Sequence, residues 1–197
     1  QMLDRNGFSP FHIACKYKSI HCVERMLPSI NPNVGDRHGY PINWIVSLNR
    51  PSMLRRIINQ TLDVNIVDED GYPSAHLLAT TSPYKVSIDE FIRNGLEILE
   101  ILAQEGYDFN QVVRTPIAGK RVSLIEAFIT AIHKRVEWII FLLQHNVILN
   151  NPESDAEIDV AEYIRENKTL SRSENGLIDE LQCYFERNPM NQKEQSV

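Results

Sequence analysis

A short turn motif recurs along the first part of the chain at a constant interval. Asp4-Arg5-Asn6-Gly7-Phe8, Asp36-Arg37-His38-Gly39-Tyr40 and Asp68-Glu69-Asp70-Gly71-Tyr72 begin at residues 4, 36 and 68, which is an interval of 32 residues. In each copy the Asp side chain can accept hydrogen bonds from nearby backbone amides, and the Gly tolerates a positive φ. A constant interval of this size indicates an array of structural repeats rather than one compact core.

The segments between the turns have the pattern of helix pairs. Each turn is followed by a short apolar helix, a break and a second, amphipathic helix. In the first unit, Ser9 is a suitable N-cap, and Pro10 suits the first helical position because its missing amide hydrogen would have no intrahelical partner there. The sequence therefore predicts a helix that begins at Pro10.

The residues of the first unit resemble the ankyrin repeat. Its segments 7–15 (GFSPFHIAC) and 23–27 (VERML) are similar to the family pattern Gly-x-Thr-Pro-Leu-His-x-Ala-Ala and the apolar second helix that follows it. Segments 96–110 and 136–150 resemble the family's second helix with its Gly-Ala-Asp-Val-Asn ending, and residues 62–65 match the same ending. The resemblance implies an all-α fold, an ankyrin-repeat solenoid of stacked helix-turn-helix units with β-hairpin-like loops.

The resemblance divides the chain into five units and a tail. The expected units are about 4–35, 36–67, 68–110, 111–150 and 151–187, together an array over residues 1–187, and residues 188–197 are expected to be a flexible tail. Because no polar capping repeat precedes the first turn, we expect further repeats or domains N-terminal to Gln1.

Units two, three and four depart from the family pattern, unit four by lacking the Asp-x-x-Gly turn at its start. Unit two has Pro41-Ile42-Asn43-Trp44 where the family prefers Thr-Pro-Leu-His, so we expect its first helix to be less regular and to lack the inter-repeat hydrogen bonds of that Thr and His. Unit three carries an inserted segment, 80–95, where a short turn is normal. Within it, Ser87 is expected to cap a short extra helix that runs through Arg93.

Composition excludes several classes of protein. The 197 residues are 43% hydrophobic and 23% charged, contain no apolar stretch of membrane-spanning length, and lack the features of a secretory signal. Three cysteines indicate a reducing compartment, so we expect an intracellular, cytoplasmic protein. The net charge of −6 argues against nucleic-acid binding.

The charge is unevenly distributed along the chain. Through Gln60 there are eight basic and three acidic residues, a net charge of +5, so the remainder carries −11 of the total of −6. An elongated array keeps such ends apart as two surfaces of opposite charge, each able to attract a complementary partner.

Candidate catalytic and metal-binding groups are sparse. The residues His12, Cys15, His21 and Cys22 suggest a zinc site or a Cys-His nucleophile, but their spacing fits no familiar zinc pattern, and core packing is the favoured interpretation. The carboxylates of Glu69-Asp70 and of Asp155, Glu157 and Asp159 are interpreted as solvated turns. With no phosphate-binding loop or nucleophile elbow in the chain, we expect no enzyme, no cofactor and no metal.

The resemblance implies a protein or peptide partner that meets the hairpin tips and the concave face of the first helices. Carried over position by position, the binding residues are Arg5, Asn6, Phe8, Lys16, Tyr17, Arg37, His38, Tyr40, Leu48, Glu69, Asp70 and Tyr72, with Lys120-Arg121 and Ile132-His133 in unit four. Phe8, Tyr40 and Tyr72, here called the aromatic stripe, share the repeat phase and are the preferred interface. The alternative is that these rings pack locally on their own hairpins.

Two further expectations follow from the tips. Since the charge changes from Arg in units one and two to Glu and Asp in unit three, we expect a partner whose acidic end lies near unit one. Asn65, Asn110 and Asn150 occupy the hairpin Asn that ankyrin proteins present to an asparaginyl hydroxylase, with Leu102 and Leu142 eight residues before the last two, so Asn110 and Asn150 are possible hydroxylation sites. The alternative is that these Asn residues only stabilise the hairpins.

The leading hypothesis is a non-enzymatic protein-interaction module in a longer intracellular protein. The divergent repeats are similar to those of ankyrin proteins that intracellular bacteria deliver into host cytoplasm. The alternative is an accessory domain that positions substrate in a multidomain enzyme or bacterial effector.

Overall fold

A computed structural model describes residues 2–58, 62–68, 70–114, 121–130, 136–145, 147, 149–150, 157–158, 181, 183–184 and 186–187. The proposed fifth unit and the tail therefore fall almost wholly outside the described residues.

The described part of the chain is mostly helical, which fits the all-α expectation. The first helices are α1 (Pro10–Lys16), α3 (Pro41–Ser47), α5 (His76–Thr80) and α7 (Leu124–Thr130). The second helices are α2 (Ile20–Met26, continued by a 3-10 turn Leu27–Ser29), α4 (Pro51–Ile58), α6 (Ile88–Gln104) and α8 (Val136–Gln144). Two short antiparallel hairpins pair β1 (Val112–Arg114) with β2 (Arg121–Ser123), and β3 (Leu149–Asn150) with β4 (Glu157–Ile158).

The helices contact one another in two parallel series. Helix α1 packs on α3, α3 on α5 and α5 on α7, while α4 packs on α6 and α6 on α8. Within units, α1 contacts α2, α3 contacts α4, and α7 contacts α8. The fully buried core lies between these series and is mostly apolar, with Ile42, Leu54, Leu78, Leu99, Leu124 and Leu142 at most 1% exposed.

The start of α1 confirms the sequence prediction. The backbone amide of His12 donates to Ser9 Oγ at 3.1 Å, and Pro10 is the first helical residue. Helix α1 therefore begins where the propensities of Ser and Pro place it.

The expectation of an irregular first helix in unit two is wrong. Helix α3 has seven residues, as many as α1. The amide of Tyr40 donates to Asn43 Oδ1 at 3.1 Å, which satisfies one group at the helix start. Asn43 Nδ2 also donates to the Tyr72 carbonyl at 3.4 Å, so unit two keeps a hydrogen bond to the next unit through a residue other than the family's Thr and His.

The inserted segment also differs from the expectation. Ser87 caps a helix as predicted, since its Oγ accepts from the Glu90 amide at 3.1 Å. The helix does not end at Arg93, however, but continues without a break as the 17-residue α6. Gly95 allows this continuity beside α8, because a Cβ at this position would overlap the Trp138 ring. Trp138 Nε1 donates to the Ile92 carbonyl at 2.9 Å and joins the added turns to unit four.

Among the described helices, none combines the length and the apolar character that a membrane span requires.

Candidate interaction surface

The turns that open units one and three have the same internal geometry. Asp4 Oδ1 accepts from the amides of Asn6 at 2.8 Å and Phe8 at 2.9 Å, and Asp68 Oδ1 accepts from the Tyr72 amide at 2.7 Å. Gly7 and Gly71 have φ values of +86° and +81°. Both residue types are thus used as the motif predicts: Asp closes the turn, and Gly adopts a conformation that is strained for other residues.

The turn of unit two uses its aspartate differently. Asp36 Oδ2 accepts from the Ser9 amide at 3.0 Å and from Ser9 Oγ at 2.7 Å, and it lies 3.2 Å from His12 Nδ1. Its side chain is 1% exposed. Burial alone would raise the pKa of the Asp36 carboxyl, but the hydrogen bonds from Ser9 and the His38 amide outweigh it and lower the pKa. A buried carboxylate therefore joins the first two units.

The tips of units one and two are in direct contact. The Arg37 amide donates to the Gly7 carbonyl at 3.2 Å, and His38 Nε2 lies 2.9 Å from the Asn6 carbonyl, to which it donates. A Cβ at Gly7 would lie only 2.6 Å from Arg37 Cβ, so Gly also permits this close approach. The exposed side chains of Arg5 and Arg37 consequently lie on two tips that contact each other.

Four rings and one cation form a cluster behind these tips, here called the ring cluster. His38 stacks on Phe8 with centroids 4.0 Å apart, and His12 stacks on Trp44 at 3.7 Å. Phe8 meets His12 edge to face at 4.5 Å, and Lys16 Nζ lies 4.7 Å from the Phe8 centroid. The stacked rings immobilise the side chains that the two tips share.

Burial lowers the pKa of His12. The carboxylate of Asp36 opposes this effect, while His38 and Lys16 add to it. His12 is therefore held neutral among the three rings that it contacts, Phe8, His38 and Trp44.

The predicted binding residues fall into three groups by exposure. The exposed ones are Arg5, Asn6, Lys16, Tyr17, Arg37 and Asp70. The half-buried ones are Phe8, His38, Tyr40 and Tyr72. The prediction that Leu48 extends the concave surface is wrong, because Leu48 is 8% exposed and packs in the core. Glu69, Lys120 and Ile132-His133 lie outside the described residues; Arg121 is placed by its backbone, which pairs with Arg114 in the β1–β2 hairpin.

The aromatic stripe is half-buried along its length. Phe8 takes His38 of the next tip as its stacking partner, and Tyr40 packs partly against the core. The backbone of Tyr72 closes its own turn. Partial burial is compatible with both interpretations of the stripe, an interface for a partner and local packing. Its role as an interface therefore stays a prediction.

The suspected Cys-His group is divided between the core and the surface. Cys15 is 2% exposed, and burial raises the pKa of its thiol to about 12. His12 is occupied by the ring cluster, whereas His21 and Cys22 are exposed on α2. Among the described residues, no group of three or more His, Cys, Asp or Glu has the arrangement of a metal site.

The three hairpin Asn residues, Asn65, Asn110 and Asn150, lie in different surroundings. Asn65 Oδ1 accepts from the Asp108 amide at 2.7 Å and from Gln111 Nε2 at 2.8 Å, and its Nδ2 donates to the Gly106 carbonyl at 3.3 Å. Asn65 thus ties unit two to the hairpin of unit three. Asn110 is exposed on that hairpin, and the backbone of Asn150 lies in β3. Hydroxylation of Asn110 and Asn150 stays a prediction.

Two contacts, one beside the tips and one in the core, were missed by sequence reasoning. Trp44 stands at the family's His position and stacks on His12 of the preceding unit, and Tyr107 Oη accepts from the Ala75 amide at 3.2 Å. The 32-residue spacing between His12 and Trp44 is the signal that could have indicated the first contact. The second joins Tyr107 to a residue in the same unit that lies far from it in sequence, and the motif comparison gives no indication of it.

Comparison with known proteins gives a match over the first part of the chain. No curated protein matches the chain. Residues 6–37, which include the first tip, α1, α2 and the start of the second turn, match the family model of the ankyrin repeat. This family consists typically of non-enzymatic protein-interaction repeats, and the match supports an ankyrin-repeat protein.

Proposed function

We propose that this chain is an ankyrin-type solenoid that binds a protein or peptide through its hairpin tips and the concave face of its first helices. The proposed array comprises units of about 4–35, 36–67, 68–110, 111–150 and 151–187. The successive packing of α1, α3, α5 and α7 supports this arrangement, because each first helix contacts the first helix of the next unit.

The observation that carries the proposal is the direct contact between the tips of units one and two. Two inter-tip hydrogen bonds hold the surface in place before any partner arrives, which reduces the entropy that binding would otherwise cost. The surface exposes the charges of Arg5, Lys16 and Arg37 next to the half-buried ring of Phe8. Arg and aromatic side chains are the types that dominate binding energy at interfaces.

The preferred partner is a segment with acidic residues at the end that meets unit one. Such a segment would complement the Arg5 and Arg37 guanidinium groups and continue toward Asp70 at the third tip. The tip charges thus orient the segment along the array.

A peptide library displayed on phage and selected on the full chain tests this proposal. We expect acidic peptides to be enriched, and the double substitution R5E/R37E to weaken their binding by about tenfold or more, since it replaces attraction by repulsion. The matched control is R25E/R56E, which makes the same charge change on exposed positions of α2 and α4. Equal binding by wild type and R5E/R37E, or equal loss in the control, would contradict the proposed surface.

A further inference from the structure

A cavity of about 350 Å³ lies away from the tips, where the inserted segment meets the first two units. Residues 18–21, which run from the turn after α1 into the start of α2, form one wall, Arg50 before α4 forms another, and Tyr84 and Lys85 of the inserted segment complete it. Three separate parts of the chain therefore converge on one concavity, whose size suits a small ligand or a single ligand group.

The lining of this cavity is strongly basic. Its seven residues include Lys18, Arg50, Lys85 and His21, and none of them is acidic. Lys18 Nζ and Lys85 Nζ each lie 5.2 Å from the centroid of the Tyr84 ring. The Arg50 guanidinium reaches the Glu90 carboxylate only at 3.9 Å. Lys18 Nζ also donates to the Ser82 carbonyl at 3.4 Å. Cations that line the same cavity repel one another, and an anion bound among them would offset this repulsion.

The backbone at both lysines is unusual for residues with a side chain. Lys18 has a φ of +50° and Lys85 a φ of +56°, a region in which glycine is much less strained. Each lysine contributes its side chain to the cavity. Glycine would adopt the same backbone conformation with less strain. At Lys18 this conformation also closes the end of α1, where the Ser19 amide donates to the Ala14 carbonyl at 2.9 Å.

We propose that this cavity binds a phosphate monoester group. A phosphate monoester carries nearly two negative charges at neutral pH and three strong acceptor oxygens, which match the two ammonium groups and the guanidinium group of the lining. A carboxylate offers half the charge and would leave part of the repulsion uncompensated. The phosphate can be carried by a small molecule or by a phosphorylated side chain, and both present the same group to Lys18, Arg50 and Lys85.

Titration calorimetry on the full chain at low ionic strength tests the proposal with three phosphate probes. The probes are inorganic phosphate, O-phosphoserine and a neutral peptide with one phosphoserine; acetate and the unphosphorylated peptide serve as references. We expect saturable binding of the phosphate probes and much weaker binding of the references. A phosphopeptide that binds more tightly than inorganic phosphate identifies a phosphorylated protein segment as the carrier, and equal affinities identify a small molecule.

The decisive variant is K18G/K85G, which removes two cations and places glycine where φ is positive. We expect an unchanged or higher melting temperature and a loss of phosphate affinity of about tenfold for each contact removed. R50Q provides a second variant with an unaltered backbone. The control R25A/R56A removes two positive charges from exposed positions outside the cavity. Absence of saturable phosphate binding by wild type, or an equal loss in the control, would overturn the proposal and leave the tip surface unaffected.

Discussion

At the scale of single residues, buried histidines make the stability of this chain depend on pH. His76 is 4% exposed, and both of its ring nitrogens are buried. Burial lowers the pKa of His76 to about 4, an effect that the backbone of Val122 offsets only in part. Between pH 6.5 and 4 the unfolded chain therefore binds a proton at this residue that the folded chain does not, and stability falls as the pH is lowered.

We expect the free energy of unfolding to fall by about 3 kcal/mol from His76 alone as the pH is lowered from 7 to 4. His12, whose pKa is also lowered, adds a change of the same sign. Urea unfolding at several pH values measures how the free energy of unfolding changes with pH. This change should be smaller in His76→Gln, because Gln cannot titrate. The same pH slope in wild type and in the Gln variant would show that His76 is accessible to protons in the folded chain.

The residue types predicted local structure correctly where the stabilising hydrogen bonds join residues close together in sequence. The cap at Ser9 and the turns at Asp4 and Asp68 follow from propensities that act over one turn. The role of Asp36 could not be predicted in this way, because its carboxylate turns toward Ser9 and His12 of the preceding unit. The side chain of Asp36 responds to packing between units, which a turn motif does not encode.

At the scale of elements, the length of α6 depends on one contact between helices. The inserted segment 80–95 was expected to form its own short helix through Arg93, since Ser87 is a suitable N-cap. In the structure Gly95 does not end the helix; it provides space for Trp138 on α8. A sequence pattern identifies a Gly but does not say whether it breaks a helix or admits a neighbour.

Gly95→Ala should destabilise the chain by about 1–3 kcal/mol, because the added methyl group would overlap the Trp138 ring in a packed interface. Helix propensity alone predicts the opposite sign, a gain of about 1 kcal/mol. Thermal and urea unfolding distinguish the two. In a Trp138→Phe background the ring is smaller, so Gly95→Ala should cost less stability there than in wild type. An Ala variant as stable as wild type would argue against the contact.

The hairpins at the ends of the second helices carry the modification prediction. Incubation of the full chain with an asparaginyl hydroxylase should add oxygen at Asn110 and Asn150, and peptide mass spectrometry locates the added mass. N110A and N150A should each remove one oxygen from the total. No mass gain in the wild-type chain would leave these Asn residues with a purely structural role, of the kind that Asn65 has between units two and three.

At the scale of the whole molecule, an ordered series of helix contacts and the charge distribution together shape the proposed interaction surface. The 32-residue interval indicated the series through unit three, and contacts from α1 to α7 agree with it over the described residues. The position of the inserted segment was not predictable, because it depends on Asn49 and Trp138, which bond to the carbonyls of Phe91 and Ile92 from two different units.

The basic tips predict a salt dependence of binding. An acidic peptide selected on the full chain should lose affinity as the salt concentration rises, since exposed charges more than about 8–10 Å apart are screened at physiological ionic strength. The loss of affinity for a given rise in salt concentration should be smaller for R5A/R37A than for the control R25A/R56A. Equal slopes for the two variants would place the charges that attract the peptide elsewhere on the chain.

Hydrogen–deuterium exchange of the full chain with and without a selected peptide locates the bound partner. The partner is proposed to lie on the hairpin tips and the concave face of the first helices. We predict that the bound peptide slows exchange at residues 4–8, 36–40 and 70–72 and along α1 and α3, and leaves the outer helices α2 and α4 unchanged. Protection confined to α2 and α4, with no change at the three turns, would contradict the account.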